Sequence, residues 1–152
     1  MNKKMIYLII LVVATVIVTL LLADIYKKET IKTSYAYENF NKITANEFDE
    51  YMMEHTDTII YIADKNNLKY NKFDKKFLSK IEKLNLLENT IYIEKDEITK
   101  SIVKKLKENY SFEYNEKELP IIIVVSDNEI VETVVVNTDS KVDTIINYEV
   151  YE

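Results

Sequence analysis

Residues 119–130 read Leu119-Pro120-Ile121-Ile122-Ile123-Val124-Val125-Ser126-Asp127-Asn128-Glu129-Ile130. Five consecutive β-branched apolar residues cannot alternate in and out, so they predict a strand covered on both faces. Asp127-Asn128 predicts a tight turn, because short polar side chains tolerate the left-handed backbone that such a turn demands. The segment from Ile130 to Val136 alternates and is the expected hairpin partner. Pro120 is the single proline of the chain and stands directly before the strand.

Working outward, apolar runs alternate with helical stripes. Thr58-Ile59-Ile60-Tyr61-Ile62-Ala63 and Thr90-Ile91-Tyr92-Ile93 predict two more buried strands. Between them Tyr70, Phe73, Phe77, Ile81 and Leu84 recur at spacings of 3, 4, 4 and 3, so 70–85 is an expected helix. Phe48, Tyr51 and Met52 follow a Thr44-x-x-Glu47 capping box and predict a helix over 45–55. Ile98, Ile102, Val103 and Leu106 predict another over 97–109, and a last short helix is expected over about 139–148. The order is α-β-α-β-α-β-β-α. Strands joined through helices imply a parallel core, and the hairpin closes it with an antiparallel strand.

Composition excludes whole classes of chemistry. The 152 residues include no glycine, no cysteine and no tryptophan. Average usage of about 7 % glycine would give roughly ten. Without glycine there is no Walker loop, dinucleotide fingerprint or EF-hand loop. Without cysteine there is no disulfide, thiolate zinc site or dithiol redox centre. Positions needing positive φ are expected to fall on Asn or Asp. Residues 36–152 carry 24 acidic and 15 basic side chains, a net of −9. That balance argues against a nucleic-acid partner, which needs a basic face.

The first 35 residues differ in kind. Met5 to Ala23 is an uncharged run of 19 residues, long enough as a helix to match a hydrocarbon core of about 30 Å. A cleavable signal peptide has an apolar region of about 7–15 residues and a small-residue site. Leu21-Leu22-Ala23 places a bulky residue where that site needs a small one, which favours an uncleaved signal-anchor. Lys3 and Lys4 place the N-terminus in the cytoplasm and the remainder outside. The expected organisation is 1–4 cytoplasmic, 5–23 transmembrane, 24–42 juxtamembrane linker and 43–152 folded domain. The lipid bilayer is then a partner through residues 5–23.

Three features together resemble the thioredoxin-like fold, over about residues 43–148. Ile60-Tyr61-Ile62-Ala63-Asp64 followed by 65–73 resembles the strand and helix between which thioredoxins keep CxxC. Leu119-Pro120 before an apolar strand is similar to the family's cis-proline. Ile121 to Val136 is similar to the closing hairpin. Within the superfamily the chain looks most like small extracytoplasmic proteins of Gram-positive bacteria, the bacteriocin transport accessory proteins among them. The resemblance implies an α/β fold, a thioredoxin-like sheet with parallel core and closing antiparallel hairpin, behind an N-terminal transmembrane helix.

The departure bears on function. Asn67-Leu68-Lys69-Tyr70 takes the CxxC positions in the register that puts Tyr70 and Phe73 on one helix face; Asn66-Asn67-Leu68-Lys69 also aligns. Neither contains a thiol. The relatives' buried carboxylate, six residues earlier, falls on Tyr61 or Ile60. Dithiol exchange needs a thiolate, so redox activity is not carried over and no enzyme activity is expected. The resemblance implies a binding module whose site is Asn66, Asn67, Leu68, Lys69, Tyr70, Leu119 and Pro120. Its partner would be an extended peptide or a membrane protein, with no cofactor and no metal. Asn66 or Asn67 also reads as an ordinary helix N-cap. His55, the only histidine, falls at an expected helix end and makes a poor metal site alone. Glu94, Asp96 and Glu97 read as helix-start charges, with only weak support for calcium. Tyr110, Tyr114, Tyr148 and Tyr151 are expected at the surface.

Overall fold

The computed structural model describes residues 2–30, 33–142 and 145. The chain divides into two units, Met1–Lys32 and Thr33–Glu152. The first is one helix, α1, Lys3–Thr30. Its span Lys3–Tyr26 is long and apolar enough to cross a membrane.

The second unit holds α2 (Tyr35–Asn39), β1 (Asn41–Lys42), α3 (Phe48–Glu54), β2 (Thr58–Ala63), α4 (Asn71–Lys83), β3 (Thr90–Glu94), α5 (Lys100–Tyr110), β4 (Ile121–Ser126) and β5 (Glu129–Val135). The strands form one sheet in the order β1-β3-β2-β4-β5. β1 and β2 lie parallel to β3, while β4 is antiparallel to both β2 and β5. This is the parallel core with a closing hairpin that the sequence predicts. Ile60 pairs with Ile91 on one side and Ile123 on the other, so β2 is central.

The sheet is covered on both sides, which explains its unalternating strands. Ile59, Tyr61, Tyr92, Ile122 and Val124 face one core with Phe73, Phe77 and Ile81 of α4 and Ala36 of α2. Ile60, Ile62, Ile91, Ile93, Ile121, Ile123 and Val125 face the other with Phe48 and Met52 of α3 and Ile102 and Leu106 of α5. Successive residues of a strand point to opposite faces, so each apolar run feeds both cores.

The expected linker 24–42 needs correction. Its last part is integral to the domain: α2 and β1 lie within residues 35–42, and Ala36 and Phe40 are buried in the first core. The capping box forms only in half. Glu47 accepts from the Thr44 N–H at 2.8 Å, but the Thr44 hydroxyl donates to that same carboxylate at 2.8 Å instead of accepting from a helix N–H, and α3 begins at Phe48. Tyr110 and Tyr114, expected at the surface, are half-buried against the second core. Tyr148, Tyr151 and half of the expected helix 139–148 lie outside the described residues, and the described positions 139–142 do not form the expected α-helix.

Four residues take positive φ: Asn85 (57°), Ser111 (55°), Asp127 (51°) and Asn128 (62°). The last two make the hairpin turn as predicted. Asp57 braces it, accepting from the Ser126 hydroxyl at 2.8 Å and the Asp127 N–H at 3.1 Å. Ser111 departs from the expectation of Asn or Asp. It ends α5, where its N–H reaches the Lys107 carbonyl and the Phe112 N–H reaches Leu106, a helix stop normally given to glycine. The left-handed conformation costs a non-glycine residue roughly 1–2 kcal/mol, part of which glycine returns as unfolded-state entropy. Ser111→Gly is therefore expected to stabilise the domain by about 0.5–1 kcal/mol, read as a raised midpoint in urea. A lowered midpoint would contradict this account of the α5 terminus.

Candidate functional site

β2 delivers the chain to the end of the sheet at Ala63, and a short polar turn then redirects it into α4. Asp64 organises the turn. Its Oδ1 accepts from the Asn66 N–H at 2.8 Å, its carbonyl accepts from the Asn67 N–H at 2.9 Å, and its Oδ2 pairs with Lys95 at 2.8 Å. The Lys95 ammonium, and after it the Asn66 N–H, hold the Asp64 carboxyl below its ordinary range. Asn67 caps a 3-10 turn, Leu68–Tyr70, by accepting from the Lys69 N–H at 3.3 Å. The predicted cap is thus Asn67, and Asn67-Leu68-Lys69-Tyr70 forms the entry to α4. Asn66, Leu68 and Lys69 are exposed, Asn67 and Tyr70 half-buried.

Leu119 and Pro120 enter the same end of the sheet from the other side. Ile62 pairs with Ile121, so the antiparallel register sets Pro120 level with Ala63 and Leu119 level with Asp64. The Leu119-Pro120 bond is cis. Pro120 is buried and its carbonyl accepts from the Val136 N–H at 2.8 Å. Leu119 is extended, with φ −67° and ψ 142°, and half-buried. Neither its N–H nor its C=O bonds another backbone group among the described residues. The two halves of the predicted site therefore share one end of the sheet. What this arrangement offers chemically is an extended backbone edge beside a polar turn.

Two buried tyrosine–carboxylate pairs went unread in the sequence. Tyr61 donates its hydroxyl to Asp74 Oδ1 at 2.6 Å, and Asp74 Oδ2 accepts from the Ala36 N–H at 3.4 Å. Tyr92 donates to Glu94 Oε2 at 2.9 Å, which also accepts from the Lys65 N–H at 2.9 Å. Glu94 Oε1 is buried without a partner among the described residues. Burial raises both carboxyls above their ordinary values, against the lowering effect of the tyrosine hydroxyls. Burial, then the neighbouring carboxylate, raises both tyrosines. Tyr61 and Tyr92 are fully buried. Both pairs therefore act inside the fold: one ties α4 to β2 and α2, the other ties the start of the polar turn to β3. Asp74 had a legible signal, since it falls inside the Tyr70-Phe73-Phe77 stripe, four residues after Tyr70 and three before Phe77.

The remaining candidates do not converge. His55 closes α3, stacked on Tyr51 with ring centroids 4.0 Å apart and its Nδ1 3.0 Å from the Tyr51 carbonyl. Glu97 accepts from the Ala45 N–H at 3.1 Å, away from the Glu94 bonds. No group of three or more metal-binding side chains is assembled among the described residues.

No family model matches the sequence, and no curated protein matches it. A solved structure described as "A putative oxidoreductase with a thioredoxin fold" is similar over 65 % of this chain and 84 % of its own, at 12 % identity and a TM-score of 0.45. Such an identity transfers no function. The strand order, the closing hairpin and the cis Leu119-Pro120 bond make the fold thioredoxin-like.

Proposed function

We propose that this chain is a membrane-anchored, non-catalytic binding module that pairs an extended peptide or protein segment along Leu119. The observation that carries this is the Leu119 backbone: extended, without a backbone partner among the described residues, next to a cis proline and level with the turn that precedes Asn67. An added strand gains affinity from main-chain hydrogen bonds and needs no thiol. The chain has no cysteine, so thiol–disulfide exchange is closed to it. In this reading α1 is an uncleaved anchor with a cytoplasmic N-terminus, as Lys3 and Lys4 favour. The domain then lies outside the cell, as in the Gram-positive accessory proteins it resembles, with CxxC lost. Its place there is chaperone-like, holding a segment without changing it.

The test is an isotope-labelled full chain in neutral detergent titrated with extended peptides. The expected result is saturable shifts at the Leu119, Asn67 and Tyr70 amides. If peptides that bind elsewhere on the chain leave these three unmoved, the site is wrong. A second reading, a structural subunit recruited to a membrane transport or secretion complex, is favoured by the unburied apolar surface of α1. It predicts that pull-down of a membrane partner needs residues 1–32, whereas peptide capture does not.

A further inference from the structure

A second feature lies outside that edge. α4 and the segment 138–142 line a cleft of about 1050 Å³. Lys69, Lys72, Lys75, Lys76 and Lys83 are among its walls. The four on α4 fall at 72, 75, 76 and 83, which at about 100° per residue keeps them on one side of the helix. Phe73, Phe77 and Ile81 occupy the other side and fill the first core. Asp74, the acid in the first turn of α4, is turned inward to Tyr61. Asp139 is the one carboxylate among the described residues that line the cleft.

The lysines elsewhere behave differently. Lys95, Lys104, Lys105 and Lys107 each pair with an acid. Lys69, Lys72, Lys75, Lys76 and Lys83 make no ion pair among the described residues. Lys69 and Lys75 rest over the rings of Tyr70 and Tyr35, at 5.5 and 5.3 Å from their centroids. Five ammonium groups without an ion pair among the described residues surround one concavity and repel each other, although residues 36–152 as a whole carry a net charge of −9. Their mutual repulsion is relieved by a counter-ion of matching valence.

We propose that this cleft binds a ligand carrying several phosphate groups on one chain. Lysines act as point charges without a fixed fork, so they select charge density over planar geometry. Phosphate oxygens also accept from hydroxyls, and Ser79, Thr138 and Ser140 supply these to the same cleft. The surrounding acidic surface disfavours a long rigid polyanion and suits one that fits within the cleft. Lys69 and Tyr70 border both sites, but Lys72, Lys75, Lys76 and Lys83 belong to the cleft alone, so shifts at 72–83 and shifts at Leu119 and Asn67 can fail separately.

Sodium tripolyphosphate is the first probe, added to the labelled full chain in neutral detergent at low salt. The expected result is saturable shifts over residues 69–83, an affinity that falls steeply with salt, and a loss of at least tenfold in the triple variant Lys72→Gln, Lys76→Gln, Lys83→Gln. The paired control Lys104→Gln, Lys107→Gln is expected to bind as the parent does. Both variants are exposed changes that should keep the parent's melting curve. A second arm compares nanodiscs of phosphatidylcholine with and without cardiolipin, whose head carries two phosphates on one glycerol. Shifts over 69–83 that need cardiolipin identify the lipid headgroup as the phosphate source; shifts with tripolyphosphate alone identify a free one. The proposal is overturned if neither probe moves 69–83, if polyglutamate binds as tightly as tripolyphosphate, or if the triple variant binds normally.

Discussion

Replacing Phe77 by Ala is expected to cost the domain about 3–5 kcal/mol, the range for removing a fully buried aromatic ring. Phe77 is fully buried. Its ring centroid lies 5.8 Å from Phe73, 5.9 Å from Tyr61 and 6.0 Å from Phe40. It therefore joins α4 to the central strand and to the residue that follows α2. Those neighbours are anchored separately, in α4, in β2 and in the connection between α2 and β1, so no single side chain can collapse into the space left behind. A domain of this size is stable by only about 5–15 kcal/mol, so the loss is a large share of the total. Urea unfolding of the full chain in detergent, followed by the near-ultraviolet tyrosine signal, measures it, since α1 contributes to far-ultraviolet helicity regardless. A loss below about 0.5 kcal/mol, the scale of ordinary surface changes, would mean that α4 does not seat on the sheet through Phe77.

The three central strands and α4 were legible because their residues have one role each. Ile60, Ile62, Ile91 and Ile123 have nowhere to go but a two-sided sheet, and Phe73, Phe77 and Ile81 repeat at helical spacing. α2 and β1 were not legible. Five residues are too few to show a period, and Asn41–Lys42 is polar, exposed and only two residues long. What holds them is distant: Tyr35 N–H bonds to the Asn71 side chain at 2.8 Å, and Ile43 N–H bonds to the Tyr92 carbonyl at 3.1 Å. No local pattern encodes such partners. Residue types likewise placed Leu119-Pro120 and Asn67, but not what Asp64 and Glu94 do. Glu94 looks like one more charge at a strand end. Its burial is fixed by Tyr92, two residues away on the same strand face, and by Lys65 across β2. The lysine cleft shows the same limit. The spacing of 72, 75, 76 and 83 was visible, but the wall at 138–142 that turns an exposed face into a concavity was not.

Tyr61→Phe is expected to destabilise by about 1–3 kcal/mol, and by the upper part of that range where Asp74 is charged. The change removes one oxygen and leaves the ring packing in place, so the effect is confined to the Tyr61–Asp74 hydrogen bond of 2.6 Å. Burial raises the Asp74 carboxyl above its ordinary value, and the Tyr61 hydroxyl partly offsets that rise. A carboxyl raised in the folded state adds stability below its unfolded value of about 3.9 and loses it as pH rises through the folded value. Without the hydroxyl, the folded value moves further up, and the ionised form at neutral pH becomes costlier still. The gap between Tyr61→Phe and the parent should therefore be small near pH 4 and widen towards pH 7.5. Every other titrating group is shared by the two proteins and cancels in the difference. Urea unfolding at both pH values reads the gap. A gap that stays constant would mean that the hydroxyl does not bond an ionised carboxylate. Asp74→Asn supplies the control, because an amide cannot ionise: in that background Tyr61→Phe should cost the same at both pH values.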